Sequence, residues 1–193
     1  MRRAVRRVNL RGMSVLSFGI NARAEIVAVS DEWEEHVADG ALPGAALIGR
    51  VLWDFFADST TKELYARLVN NLSVGGSVSV PYRCDTASRR RWFEMTIARR
   101  AGERVEFTSR LLRQENRAPV ALFQPAYARD ERMVRMCSWC QRIAAPDGQW
   151  LSVDVAVTAS RLLERETMPR ITHGICPGCA DGLALTISAQ RKT

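Results

Sequence analysis

Ser77-Val78-Ser79-Val80-Pro81-Tyr82-Arg83-Cys84 followed by Trp92-Phe93-Glu94-Met95-Thr96-Ile97 is the stretch on which the fold turns. Val78, Val80, Tyr82 and Cys84 alternate with Ser77, Ser79 and Arg83, and Phe93, Met95 and Ile97 alternate with Trp92, Glu94 and Thr96. A period of two with one apolar face is that of a strand with one side buried. Pro81 lacks a backbone donor, so its strand is expected at a sheet edge. Beyond a turn at Gly102, Val105, Phe107, Ser109 and Leu111 continue the pattern, and the last two strands read as a hairpin. On this reading Cys84 is a small buried hydrophobe on the apolar side of its strand, and Arg83, Arg89, Arg90 and Arg91 are solvated; the alternative is an exposed, reactive thiol whose pKa those arginines lower.

Upstream, Val15 to Ile20 places Leu16, Phe18 and Ile20 on one face of a first strand, and Glu25 to Ser30 forms a second. Asp31 can cap a short helix through Trp33, Glu34, His36 and Val37, interrupted by Gly40, Pro43 and Gly44. A longer helix starts where Thr60 and Glu63 stand at capping-box spacing, and Leu64, Tyr65, Leu68, Val69 and Leu72 make its apolar stripe. The expected product is α+β, an antiparallel sheet of about five strands covered on one face by helices.

The order of these elements, with Asp31-Glu32-Trp33, Ile48-Gly49-Arg50 leading into Leu52-Trp53-Asp54-Phe55, the Leu64-Tyr65 helix and Pro81-Tyr82-Arg83-Cys84-Asp85, resembles a PAS-type sensor domain of bacterial signalling proteins over roughly residues 14–115. The resemblance implies a pocket between sheet and helices for a small ligand, and a sheet surface that pairs with other domains. It does not extend to the cofactor-bearing subclasses. The Asn-Cys-Arg-Phe type of flavin motif is absent, the helix from Lys62 to Leu72 has no histidine to ligate haem, and His36 stands beside Glu34 and Glu35 as a solvated side chain.

A second module begins beyond a connector at 116–134, which holds Pro119, Pro125 and a short helix at Arg129-Asp130-Glu131-Arg132. The pairs Cys137/Cys140 and Cys176/Cys179 are both Cys-x-x-Cys knuckles, turns that let two sulfurs converge on one ion. Together they supply four thiolates and close a tetrahedral shell, so zinc is the expected metal, with His173 as a reserve ligand. Between Cys140 and Cys176 lie 35 residues, against about 15 to 20 in a compact ribbon. Pro146-Asp147-Gly148 as a turn, Trp150 to Val153 as a strand and Val153 to Glu166 as a helix account for the excess. The stretch from Cys137 to Cys179, closing on His173-Gly174-Ile175-Cys176-Pro177, resembles a small cysteine module that follows PAS or receiver domains in bacterial regulators, which implies an appended signalling element.

Three chemistries are open to these cysteines. A closed zinc site that folds the module is the default, since zinc supplies on the order of 10 kcal/mol to such small folds. A redox switch, in which the thiols oxidise and release the metal, is the second. Disulfides after export are the third, and an odd total of five cysteines sits poorly with them. A catalytic zinc needs an open position that four cysteines do not leave, and a c-type haem needs a histidine after a knuckle.

Charge and enzyme motifs narrow the function. The net charge of +7 comes from the ends, with five arginines in residues 1–11 and Arg191-Lys192 at the close; the body between balances 21 basic against 21 acidic residues. A neutral body argues against an extended nucleic-acid groove. Arg6-Arg7, the apolar Gly12 to Ile20 and Ala22-Arg23-Ala24 have the outline of a twin-arginine export signal, but the apolar part is short and reads equally as the first strand. No run approaches the roughly 20 apolar residues that span a bilayer. No phosphate loop, kinase or cyclase motif or nucleophile elbow is present.

The expected organisation is a basic tail at 1–13, a PAS-like domain at 14–115, the connector at 116–134, a zinc-ribbon-like four-cysteine module at 135–185 and a tail at 186–193. The expected function is that of a cytoplasmic, non-enzymatic signalling regulator. It senses a small ligand or partner, pairs with a signalling protein or a second copy of itself, and carries a structural or redox-responsive zinc site. The alternative is a nucleic-acid-associated transcriptional regulator that uses the zinc module and the Arg-rich N-terminus.

Overall fold

The computed structural model of the chain describes residues 15–34, 42–159 and 166–190. The basic tail at 1–13, His36 and the close of the chain at 191–193 lie outside them. Three hairpin connections, β1-β2, β3-β4 and β4-β5, and one long connection build the first sheet from β1 (Leu16–Ile20), β2 (Ile26–Val29), β3 (Ser77–Arg83), β4 (Arg89–Arg99) and β5 (Val105–Asn116), in the order β2-β1-β5-β4-β3 with every pair antiparallel. The mixed α+β class and the five-stranded antiparallel sheet agree with the alternation in the sequence. Pro81 sits on β3, an edge strand, as its missing donor requires. On the core face, β4 contributes Phe93, Met95 and Ile97, and Phe18 of β1 stacks on its register partner Phe107 of β5 at 4.5 Å.

The helices lie on that face. A four-residue α1 (Gly44–Leu47) and a single 3-10 turn at Leu52–Phe55 precede α2 (Ser59–Asn70). Leu68, Val69 and Leu72 of the expected stripe are buried. Its N-cap is Asp58, not Thr60 of the expected capping box: the Asp58 carboxylate accepts from the N–H and the hydroxyl of Thr61, both at 2.7 Å. Glu63 instead pairs with Arg67 on the exposed side.

Past β5 the chain departs from expectation. Arg129-Asp130-Glu131-Arg132 is not a helix but the start of β6 (Arg129–Cys137). The charges are absorbed locally. Asp130 accepts from the Arg132 N–H at 2.9 Å and the Thr167 hydroxyl at 2.8 Å, and Arg129 donates to the carbonyls of Pro169 and Leu122, each at 3.0 Å. A second sheet, ordered β8-β7-β6-β9, adds β7 (Ile143–Ala144), β8 (Trp150–Leu151) and β9 (Met168–Gly174), with α3 (Val153–Ala159) between β8 and β9. The expected helix from Val153 is thus seen as far as Ala159. Helix α4 (Pro177–Gln190) runs through residues expected to be tail.

β6 and β9 are parallel, and this explains the long interval between the knuckles. Antiparallel neighbours need only a short turn, whereas parallel neighbours need a crossover of a dozen residues or more. The β7-β8-α3 segment is that crossover, packed as its own core from Val153, Ala156 and Val157 against Leu122, Met136, Ile143 and Met168. Toward α2, Trp139, Ile175, Leu183 and Ile187 join the core of the first sheet. Hydrogen bonds fasten the same seam: Asn71 Nδ2 to the Ile187 carbonyl at 3.5 Å, and Gln190 Nε2 to that of Leu68 at 3.3 Å.

Candidate metal centre and adjoining cavity

In the parallel register Cys137 stands opposite Gly174, so the turns after β6 and β9 leave the sheet side by side. The first knuckle closes through Cys137 N–H to the Arg142 carbonyl at 2.8 Å and Gln141 N–H to the Cys137 carbonyl at 2.9 Å, with Gln141 at φ 57°. The second is shaped by the start of α4, where Ala180 N–H donates to the Cys176 carbonyl at 3.0 Å. Ser138 N–H reaches the Gly174 carbonyl at 2.8 Å and ties the turns together.

The sulfurs of Cys137, Cys140, Cys176 and Cys179 consequently lie within 4.8 Å of one another. A tetrahedron with metal–sulfur bonds of about 2.3 Å has edges near 3.8 Å, and the Cys140–Cys176 pair stands at 3.6 Å. Those distances suit a shared ion, and no disulfide joins the four. His173 is not one of the group; it borders a small cleft with Asp58, Thr61 and Ser138.

The electrostatics of Cys137, Cys140 and Cys179 differ. The Cys137 thiol is lowered to about 4, first by the Cys140 thiol that donates to it and then by backbone N–H groups of Cys140, Cys176 and Trp139, against the opposing effect of burial. The Cys176 N–H is 3.4 Å from its sulfur. Cys140 is pushed up, chiefly as the donor to Cys137, and Cys179 is pushed up to about 12 by burial and then by the Cys137 charge. One thiolate is thus stabilised by the fold alone, and Cys140 and Cys179 need a cation to ionise beside it. The donor set fits a soft or borderline divalent ion. Cys137 and Cys176 are buried and Cys140 and Cys179 half-buried; Cys140, Cys176 and Cys179 line a cleft with Arg142 and Trp150.

A cavity of about 400 Å³ lies between the first sheet and its helices. Its walls are Leu16, Phe18, Trp33, Leu52, Phe56, Tyr65, Tyr82, Phe93, Met95 and Phe107, with Cys84, Asp85, Arg91 and Ser109 as polar additions. Burial pushes the Tyr82 phenol up to about 12 and raises Tyr65 as well, so both rings present neutral hydroxyls at pH 7. Two expectations are corrected here. Cys84 is exposed, just past the end of β3, and not buried on the strand. Arg91 is only 6% exposed, the first member of the row that continues through Phe93 and Met95, and not part of a solvated loop.

Cavity and metal centre share a wall. Trp139, inside the first knuckle, packs on Tyr65 with ring centroids 4.6 Å apart, and the Trp139 carbonyl accepts from the Arg83 N–H at 2.7 Å. Arg83 adjoins Tyr82, and Tyr65 and Tyr82 both line the cavity. On the other side of the knuckle Arg135 donates to Asp58, the cap of α2, at 2.8 Å. Sequence reasoning located the four cysteines through their spacing but missed the contact of Trp139 with Tyr65, because nothing local announces a contact between residues more than 70 positions apart.

The fold and the site together define an α+β chain with a sheet-and-helix cavity and a four-cysteine cluster able to bind a metal ion. The chain matches no protein-family model, and no curated protein matches it. Among solved structures it is similar to a sensory box sensor histidine kinase from Vibrio cholerae, at 14% identity and a TM-score of 0.39, over 54% of this chain and 86% of the other. No helix among the described residues is long and apolar enough to cross a membrane.

Proposed function

We propose that this protein is a signalling regulator that acts by binding partners, its first sheet sensing a small molecule or a partner, and that Cys137, Cys140, Cys176 and Cys179 hold zinc. The observation that carries the reading is the ring contact between Trp139, which lies within the first knuckle, and Tyr65, which lines the cavity. A change in what fills the cavity moves Tyr65 or Tyr82, and either motion is felt at the knuckle through the Trp139 ring or its carbonyl.

Bound zinc supplies two positive charges that let the four thiolates coexist and cross-links the ends of β6 and β9. The chain's own residues do the rest. The backbone N–H groups around Cys137 pre-orient one sulfur, Ile175 and Trp139 exclude water from the inner side, and Cys140 and Cys179 remain on the outer side. That outward pair is where an oxidant would first meet the site, which supports a redox-responsive version of the same reading. Four thiolates fill the coordination shell and leave no place for a reacting water, so the role is one of binding and not of catalysis.

Zinc transfer to a chromogenic chelator tests the coupling. Tyr65→Ala removes the ring between cavity and knuckle, and zinc release should speed up several-fold, the scale of about 1 kcal/mol expected for coupling through packed side chains. Val74→Ala, at an exposed site, serves as the control. Equal release rates in wild type and Tyr65→Ala would contradict the proposed link.

A further inference from the structure

We propose that the cavity of the first sheet takes a neutral, planar aromatic molecule that carries a carbonyl oxygen, and that this oxygen accepts a hydrogen bond from the Tyr65 hydroxyl. This rests on the cavity being the sensing site of the regulator proposed above, and it names the class of molecule that fits.

Tyr65 stands on α2, and its hydroxyl donates to the Met95 sulfur of β4 at 4.0 Å. Both residues line the cavity, so the hydroxyl stands at its wall. A thioether is a weak acceptor and the contact is long, so the phenol keeps most of its hydrogen-bonding capacity. The Tyr82 hydroxyl, in the same wall, is instead bonded by the Ser109 side chain. A donor screened from water and held to a weak acceptor is costly, and a ligand oxygen placed against it recovers that cost. A carbonyl suits the place, because it offers two lone pairs and carries no charge.

The charges in the wall are held by the protein itself. Asp85 has a side chain with no solvent exposure; it pairs with Arg83, accepts from the Arg91 N–H at 3.0 Å and stands 3.4 Å from Arg117. Arg91 Nε donates to the Cys84 carbonyl at 2.6 Å, and one of its terminal nitrogens is 3.7 Å from the Cys84 sulfur. A charged ligand would have to break into these pairings or enter an apolar space uncompensated, and both are costly. The rest of the wall favours a flat body. Phe18 and Phe107 stack with their planes 5° apart, and the Phe56 and Tyr65 rings lie 4.9 Å apart. A volume of about 400 Å³ lies in the range of roughly 300–1,000 Å³ that holds small organic ligands. The Tyr65 ring also packs on Trp139 of the first knuckle, so a bond to its hydroxyl acts on the residue that joins cavity to metal centre.

Fluorenone and fluorene share one flat tricyclic skeleton and differ by the ketone oxygen. Displacement of neutral phenylnaphthylamine from the full, metal-replete chain gives their relative affinities. Tyr65→Phe keeps the ring and removes only the hydroxyl, so comparing the ketone-to-hydrocarbon ratio in the two proteins cancels the probes' different water solubility. The wild-type ratio should exceed the Tyr65→Phe ratio about three- to tenfold, the scale of one neutral hydrogen bond. The infrared ketone band of bound fluorenone should also lie lower in the wild type. Ser109→Trp, which fills the cavity from β5, should weaken both probes, and a fluorenone carboxylate should bind the wild type about tenfold or more weakly than fluorenone. If Tyr65→Phe fails to fold, the wild-type band measured against fluorenone in hexane still decides. Equal ratios in the two proteins, or a band at its hexane position, with both probes lost in Ser109→Trp, would overturn the carbonyl class. A carboxylate that binds as tightly as the ketone would overturn the neutral class, and either result leaves the sensing cavity standing. Failure of the wild type to bind either probe, or binding untouched by Ser109→Trp, would remove the cavity as a ligand site and this proposal with it.

Discussion

Replacing Asp58 by alanine should cost about 1.5 kcal/mol, and the reason lies in two roles that one carboxylate performs. It caps α2 by accepting from the Thr61 N–H and hydroxyl, and it receives Arg135 from β6 at 2.8 Å. Loss of an N-cap is worth about 1 kcal/mol. The ion pair adds only about 0.5 kcal/mol, because the Arg135 side chain is 49% exposed and solvent screens it. For a chain of this length the sum lowers Tm by about 3–6 °C. Urea denaturation of the reduced, metal-replete protein measures it. Asp58→Asn keeps the cap and loses the pair, so it should cost only about 0.5 kcal/mol, and a double-mutant cycle with Arg135→Ala should return a coupling of similar size. The pH dependence follows the same logic. Burial by itself raises the Asp58 carboxyl, but the Thr61 bonds and Arg135 outweigh it and hold it below its ordinary value. A folded pKa below the unfolded one contributes stability that is present above about pH 4 and is lost as pH falls through the folded value. Asp58→Ala as stable as wild type at pH 7, or Asp58→Asn as damaging as Asp58→Ala, would refute this division of roles.

Two further outcomes follow from the seam between the two sheets, and a third from the charges of the first sheet. A Cβ on Gly174 would meet the Arg135 guanidinium, so Gly174→Ala should push that flexible side chain aside, abolish the Asp58–Arg135 coupling and cost about 0.5 kcal/mol, the size of that pair. Leu183 on α4 is 4% exposed within the shared core, and Leu183→Ala should destabilise by about 2–5 kcal/mol in the same denaturation assay. Exposed arginines of the first sheet are matched by acids, as in Arg100–Glu106 and Arg110–Glu94, so the full chain should show no shift of random duplex DNA at low salt; a shift with a steep salt slope would favour the nucleic-acid alternative.

The strands of the first sheet were legible because one face is buried and the other wet, which writes a period of two into Val78-Val80-Tyr82 and Phe93-Met95-Ile97. Helix α2 was legible from its stripe, but its start was read at Thr60 with Glu63, and only the fold shows that Asp58 caps it while also meeting Arg135. β6 was not legible. Its first four residues are charged, and what makes them a strand is a set of bonds to Thr167, Pro169 and Leu122 that local sequence does not encode. The cysteine group was legible from its knuckles alone, while the parallel pairing that brings them together was not; the long interval was read as a turn, a strand and a helix, without the crossover they form. Arg91 was misread because three consecutive arginines look like a solvated loop, although its position two before Phe93 carried the strand period.

Zinc content per chain, measured with thiol alkylation on protein purified under reducing conditions without added metal, tests the central claim most directly. The account predicts about one zinc per chain, rapid alkylation of Cys84 alone while the metal is bound, and reaction of Cys137, Cys140, Cys176 and Cys179 once a chelator has removed it. A chain without metal whose four knuckle cysteines alkylate as fast as Cys84, or are found paired as disulfides, would contradict it.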